Sequence, residues 1–303
     1  MEYRITGIEN YIKNLFFALN QSTSKEYFQK IYKNICDFAA ASNNLITKEN
    51  INIYQLNEKT QQNLNFISWL INKNNYEILC EKLQYANNTL KKELKFKFVI
   101  KIIPTKYIWR IKKTKDNFEI TINIGFLAAD QNTFNILLNK ISSKNTAKLN
   151  DSISKFILSK EYLELNQIFY KIEKKQTKDK NSVYDLEKFF VELNEKYFHN
   201  EIKKPLLKWS KKNNYCKFGE YIPTKHEIII SKSLDNPKIP ELLVKYILYH
   251  EMLHIKYPTK LTESGFNIHH QEFKFHEKKY ENYQEAEKLL HKIAKELRLN
   301  DNI

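Results

Sequence analysis

His250-Glu251-Met252-Leu253-His254 carries the clearest chemistry in the chain. Two histidines four apart on a helix project from one face, one turn apart, and can share a tetrahedral zinc ion. The glutamate beside the first histidine then lies near the metal without binding it, where it can take a proton from zinc-bound water. The flanking sequence suits such a helix. Leu242, Leu243, Val244, Tyr246, Ile247, Leu248 and Leu253 form an apolar run, with Pro237 and Pro240 ahead of it and Pro258 behind. Proline is tolerated at a helix start and cannot continue one.

Catalytic zinc takes a third protein ligand and keeps a fourth position open. The metzincin arrangement fails, because Tyr257 stands where glycine is required, Lys260 where the third histidine belongs, and no methionine follows Met252. Two sources remain. A later glutamate (Glu281, Glu285 or Glu287) would complete a His-His-Glu set. The pair His269-His270 lies fifteen or sixteen residues after His254, far enough for a loop to return. The oxyanion of the reaction also needs a donor, and Tyr221, Tyr257, His276 and Tyr280 are candidates. All eight histidines follow residue 198; His199, His226 and His291 read as surface or hydrogen-bonded core residues.

The elements that must position this site are legible as periodicities. Leu186, Phe189, Phe190, Leu193, Tyr197 and Phe198 share one face of a helix over Asp185–Phe198. Cys216–Ile222 and Glu227–Ser231 flank Pro223-Thr224-Lys225 as a hairpin. If Glu227–Ser231 is the sheet edge facing the cleft, an extended substrate would add to it as a strand, which favours an endopeptidase. A helix from about 269 would align His269, Phe273, His276 and Tyr280. His276 would then stand roughly 10 Å from His269, too far to share its metal.

Upstream, residues 1–90 read as helices, with stripes such as Ile12, Leu15, Phe16, Leu19 and Phe28, Ile31, Tyr32, Ile35, Phe38. From Lys95 the period becomes two. Runs around Phe96–Ile102, Tyr107–Lys113 and Phe118–Ile124 suggest a small antiparallel sheet with one wet face. Residues 130–170 return to a helical pattern. Lys171–Ser182 is charge-dense and nearly free of apolar residues, a linker. The expected organisation is an N-terminal helical and β-hairpin region over 1–170, a linker over 171–182 and a further domain over 183–303.

Composition narrows the classes further. In 303 residues, 42% hydrophobic and 14% aromatic content exclude a wholly disordered or collagen-like chain. No apolar stretch reaches the roughly 18–20 residues that span a bilayer. The amino terminus, with Glu2 and Glu9, does not read as a signal peptide; a cytoplasmic protein is expected. Cys36, Cys80 and Cys216 form neither a disulfide framework nor a zinc ribbon. A net charge of +15 invites a nucleic-acid reading, and Lys91–Lys115 holds nine lysines and Arg110 against Glu93. Only three of the 50 basic residues are arginine, the residue suited to bidentate phosphate contacts. A solvated basic surface, or charge guarding a strand edge, explains the segment equally well.

The segment YHEMLHIKYP…IHHQEFKFHEKKYENYQEAEKLL resembles the bacterial SprT-like metallopeptidases, a minimal zincin family. LNEKYF (Leu193–Phe198), Lys208-Trp209-Ser210, Phe218-Gly219-Glu220-Tyr221, Ile229-Ile230-Ser231 and Leu234-Asp235, with Tyr246 and Tyr249, follow in that family's order and spacing. The likeness covers about residues 183–292 and is fainter over 117–170. It implies an α+β fold with a zincin-like domain, a small antiparallel or mixed sheet plus an active-site helix, preceded by the mainly helical region. It implies Zn2+ held by His250, His254 and His269, the third opening a His-x-x-x-Phe pattern with Phe273, with His270 in a small-residue slot; read by itself, His270 is an exposed neighbour. It implies Glu251 as catalytic base and a polypeptide substrate; with no apolar stretch long enough to span a bilayer, no membrane partner is expected. The cysteine-rich ribbon of some members has no counterpart in this sequence, where no cysteine follows Cys216. The alternatives are a nucleic-acid-associated protease or binding module using residues 91–115, and a non-catalytic zinc-stabilised interaction module.

Overall fold

The computed structural model describes residues 5–21, 24–115, 117–143, 151–170, 182–215, 217–262 and 265–300. It is a mixed α+β structure whose chain divides into two compact units, residues 1–175 and 176–303. The linker expected over 171–182 lies, except for Ser182, outside the described residues.

In the first unit, α1 (Ile8–Gln21), α2 (Lys25–Lys48), α3 (Glu58–Leu70) and α4 (Lys73–Glu93) precede β1 (Phe98–Ile103), β2 (Trp109–Lys113) and β3 (Phe118–Asn123). After them come α5 (Gln131–Ser142), α6 (Asp151–Ile157) and α7 (Lys160–Tyr170). Short polar side chains start several of the helices: Ser24, Asn57, Asn72 and Asp130 each accept from amides of the first turn. The expected helical stripes are in the core; Ile12, Leu15, Phe16, Leu19, Ile31 and Ile35 are buried.

The sheet differs from the expected antiparallel one. Its order is β1-β3-β2, with β3 antiparallel to β2 but parallel to β1. Five residues link β1 to β2, enough to cross two strand spacings of roughly 4.8 Å, and β3 fills the gap. An alternating pattern reports which face is wet, not which strand is the neighbour. Ile100, Ile102, Ile120 and Ile122 form the buried face.

The second unit contains α8 (Leu186–Phe198), β4 (Leu206–Trp209), β5 (Gly219–Ile222), β6 (Glu227–Ile230) and α9 (Glu241–Lys256). These are followed by β7 (Lys260–Thr262), β8 (Gly265–Asn267), α10 (Gln271–Glu277) and α11 (Tyr283–Asn300). Its sheet, β4-β6-β5, repeats the strand order and directions of the first. The β5–β6 pair is the expected hairpin, turning through Pro223–Lys225. The strand over Glu227–Ser231 is therefore central and not an edge; the edges are β4 and β5.

Asp235 ties the entrance of this unit to its middle. Its carboxylate accepts from Ser182 Oγ at 2.9 Å, from the amides of Val183 and Tyr184, and from Lys232 Nζ at 2.6 Å. Among the described residues no helix is long and apolar enough to cross a membrane.

Candidate metal centre

Helix α9 packs against α8, α11, β5 and β6, so it is apolar nearly all round. Leu243, Val244, Tyr246, Ile247, Leu248, Met252 and Leu253 are buried. It starts after Pro240 and stops at Tyr257, ahead of Pro258. His250 and His254, one turn apart near its end, emerge half-buried on the same side. The chain then leaves through the short β7–β8 hairpin and brings back His269 just before α10.

His250, His254 and His269 each offer a ring nitrogen, and these three atoms lie within 4.8 Å of one another. The three ring centroids are 5.0 Å apart in every pairing. Phe273, fully buried, packs against all three at 4.7–5.1 Å and forms the floor of the cluster. The Nε2 atoms of His254 and His269 are 3.3 Å apart. Two nitrogens each about 2.0–2.1 Å from one tetrahedral zinc stand roughly 3.3–3.4 Å from each other. The spacing and the all-imidazole donor set fit a borderline-soft divalent ion, so the triad can hold a metal.

The electrostatics favour open lone pairs at two of the three rings. Burial, then the neighbouring His250 and His269, push the His254 imidazole down to about 3. His269 is lowered for similar reasons. Burial also opposes a charge on His250, but the hydrogen bond to Glu277 and the nearby Glu251 outweigh it, and this ring titrates above its ordinary range.

Glu251, next to His250 on the helix, lies against β5 and is only 5% exposed. Burial pushes its carboxyl up to about 7, against the opposing pull of His250, the Tyr221 amide that donates to it, and Lys217. The closeness of β5 explains the glycine there. A Cβ on Gly219 would stand 2.8 Å from Glu251 Cγ and 2.9 Å from Cδ. The amide of Ser231 donates to the Phe218 carbonyl at 2.8 Å, and Gly219 faces Ile230. Alternation then turns the main-chain groups of Gly219 and Tyr221 away from β6, toward the free edge. Lys217 and Glu220 form an ion pair of 2.7 Å beside that edge.

The other candidates fall elsewhere. His270 is buried, not exposed: α10 begins at Gln271, so both histidines lie in the turn that feeds it, and His270 faces inward with its Nε2 unpartnered. Among the described residues the metal-capable group is His250, His254 and His269, without Glu281, Glu285 or Glu287; Glu281 pairs with Lys196, and Glu287 accepts from Tyr246. Of the oxyanion candidates, the Tyr221 hydroxyl is engaged by His226 and that of Tyr280 by the Leu242 carbonyl. Tyr257 and His276 stack on each other at 4.4 Å. His199 and His291 are exposed; His226 bonds Tyr221 and the Lys203 carbonyl.

One site residue escaped the sequence reading. Glu277 Oε1 lies 2.6 Å from His250 Nδ1. A signal existed, since a carboxylate on the same short helix as Phe273 is a natural partner for a ligating imidazole.

In the first unit, β2 is an edge strand whose Arg110, Lys112 and Lys113 are exposed, while Lys101 pairs with Glu119 at 2.6 Å. Lys106 and Arg110 flank the Tyr107 ring at 5.3 and 5.2 Å. Charge on an edge strand is also how sheets guard against edge-to-edge pairing. Comparisons with protein-family models, with curated proteins and with solved structures give no match.

Proposed function

We propose that the chain is a zinc metalloendopeptidase of the zincin type, similar to the SprT-like family, with His250, His254 and His269 as ligands and Glu251 as general base. The convergence of three imidazoles beside a buried carboxylate carries this reading. Zinc, when bound there, supplies Lewis acidity toward water and the scissile carbonyl.

The residues of the chain do the rest. A carboxylate poised near 7 can take a proton and return it to a leaving amine at neutral pH. The Tyr221 amide fixes its orientation, and Gly219 lets it approach the strand. The substrate strand, expected from sequence beside Glu227–Ser231, belongs instead along β5. There the outward amide and carbonyl of Gly219 and the carbonyl of Tyr221 can pair with an extended polypeptide. Such pairing reads backbone and not side chains, which suits cleavage within unfolded segments.

Metal analysis together with casein hydrolysis tests this, for wild type and Glu251→Ala. Wild type should hold zinc and cleave; the variant should hold zinc and not cleave. Zinc without turnover in wild type would make the site a structural metal module, and equal turnover in both proteins would remove Glu251 from the chemistry.

A further inference from the structure

We infer that Glu277 is a positioning residue for the metal site: it accepts the Nδ1 proton of His250, leaving Nε2 as the ligating atom, with Tyr246, whose hydroxyl donates to Glu287, packed beside it. The inference rests on the metal-site reading above and adds three residues, none of them a ligand.

His250 and Tyr246 are four apart on α9 and share a face. Over that face α10 brings Glu277, whose side chain is 15% exposed and whose Oε1 lies 2.6 Å from His250 Nδ1 and 3.4 Å from the Tyr246 hydroxyl. That hydroxyl has one proton, and its short contact is with Glu287 Oε1 of α11, at 2.6 Å. The short donor left for Glu277 Oε1 is therefore the imidazole. A carboxylate is an acceptor only, so Nδ1 must carry hydrogen, and in the neutral ring Nε2 is bare. Tyr249, three residues on from Tyr246, donates to the His276 carbonyl at 2.7 Å and pins α10 in the same place. Glu287, Tyr246, Glu277 and His250 thus form one chain of contacts through α11, α9 and α10. An imidazole that could rotate or adopt the other tautomer would lose the ligand geometry without any change in the ligand set.

Two measurements on the full chain decide this. Long-range proton–nitrogen correlation on histidine-labelled, zinc-free protein, at a pH where the ring is neutral, should show His250 as the Nδ1-protonated tautomer; the Nε2-protonated form would overturn the inference. Zinc affinity, by competition with a chromophoric chelator, should fall about 10–100-fold in Glu277→Ala and less in Glu277→Gln, whose amide oxygen still accepts. Tyr246→Phe should give a smaller loss, with helix content unchanged. Affinities of both Glu277 variants within twofold of wild type would overturn the inference while leaving the peptidase reading intact. Wild type without zinc affinity would sink that reading, and the tautomer would still decide the role of Glu277. If Glu277→Ala fails to fold, Glu277→Gln and the wild-type tautomer carry the test.

Discussion

Gly219 in β5 lies so close to Glu251 in α9 that the carboxylate occupies the space a β-carbon would need. The carboxylate proposed as general base is thereby held between its own helix and β5. Gly219→Ala should displace Glu251 and lower turnover by about 100-fold, the order of loss for a misplaced catalytic group. Zinc stoichiometry should stay at the wild-type value. Unchanged turnover would show that the carboxylate can give way at no cost.

Phe273 supports three imidazoles at once from a fully buried position. Phe273→Ala should cost about 3–5 kcal/mol of stability, the range for removing a buried aromatic ring. It should also weaken zinc binding, because the rings lose their floor. Denaturant unfolding and chelator competition measure the two effects; stability loss with wild-type affinity would separate the floor from the ligands.

Protons should compete with zinc chiefly at His250. Its imidazole is held above the usual histidine range by Glu277 and Glu251 against burial, whereas burial and the other rings keep His254 down at about 3. A protonated ring cannot ligate, so affinity should fall as the pH drops through the raised range of His250, with His254 adding nothing until far more acid conditions. Calorimetry in two buffers of different ionisation heat should show proton release on zinc binding near neutral pH. Proton-neutral binding there would contradict the assignment.

Asp235 should make the C-terminal unit acid-labile. Burial alone would raise its carboxyl, but Lys232, Ser182 and the Tyr184 amide outweigh it and hold the group below its ordinary value. A carboxyl depressed in the folded state contributes stability in full above its unfolded value and loses it as the pH falls through the folded one. Asp235→Asn should lose about 1.5–3 kcal/mol at neutral pH, the worth of hydrogen bonds to a charged group. Its stability should then change less than that of wild type below about pH 4. Parallel pH profiles for the two proteins would exclude this role.

Much of the C-terminal unit was legible in the sequence because its signals are local. The apolar run of α9 between prolines, the amphipathic face of α8 and the β5–β6 hairpin each depend on near neighbours alone. What required the structure is set by contacts distant in sequence. The parallel pairing of β1 with β3, and the central place of β6, follow from strand order, which alternation does not encode. The inward turn of His270 depends on where α10 begins, a difference of two residues. Glu277 and Gly219 matter through partners 27 and 32 positions away, at His250 and Glu251, and no periodicity reports those.

Zinc content after loading and desalting, for wild type, His269→Ala and His270→Ala side by side, tests the metal centre most directly. Wild type and His270→Ala should retain close to one zinc per chain, and His269→Ala should lose it. Zinc retained at the wild-type level in His269→Ala, or none in wild type, would contradict a site built from His250, His254 and His269.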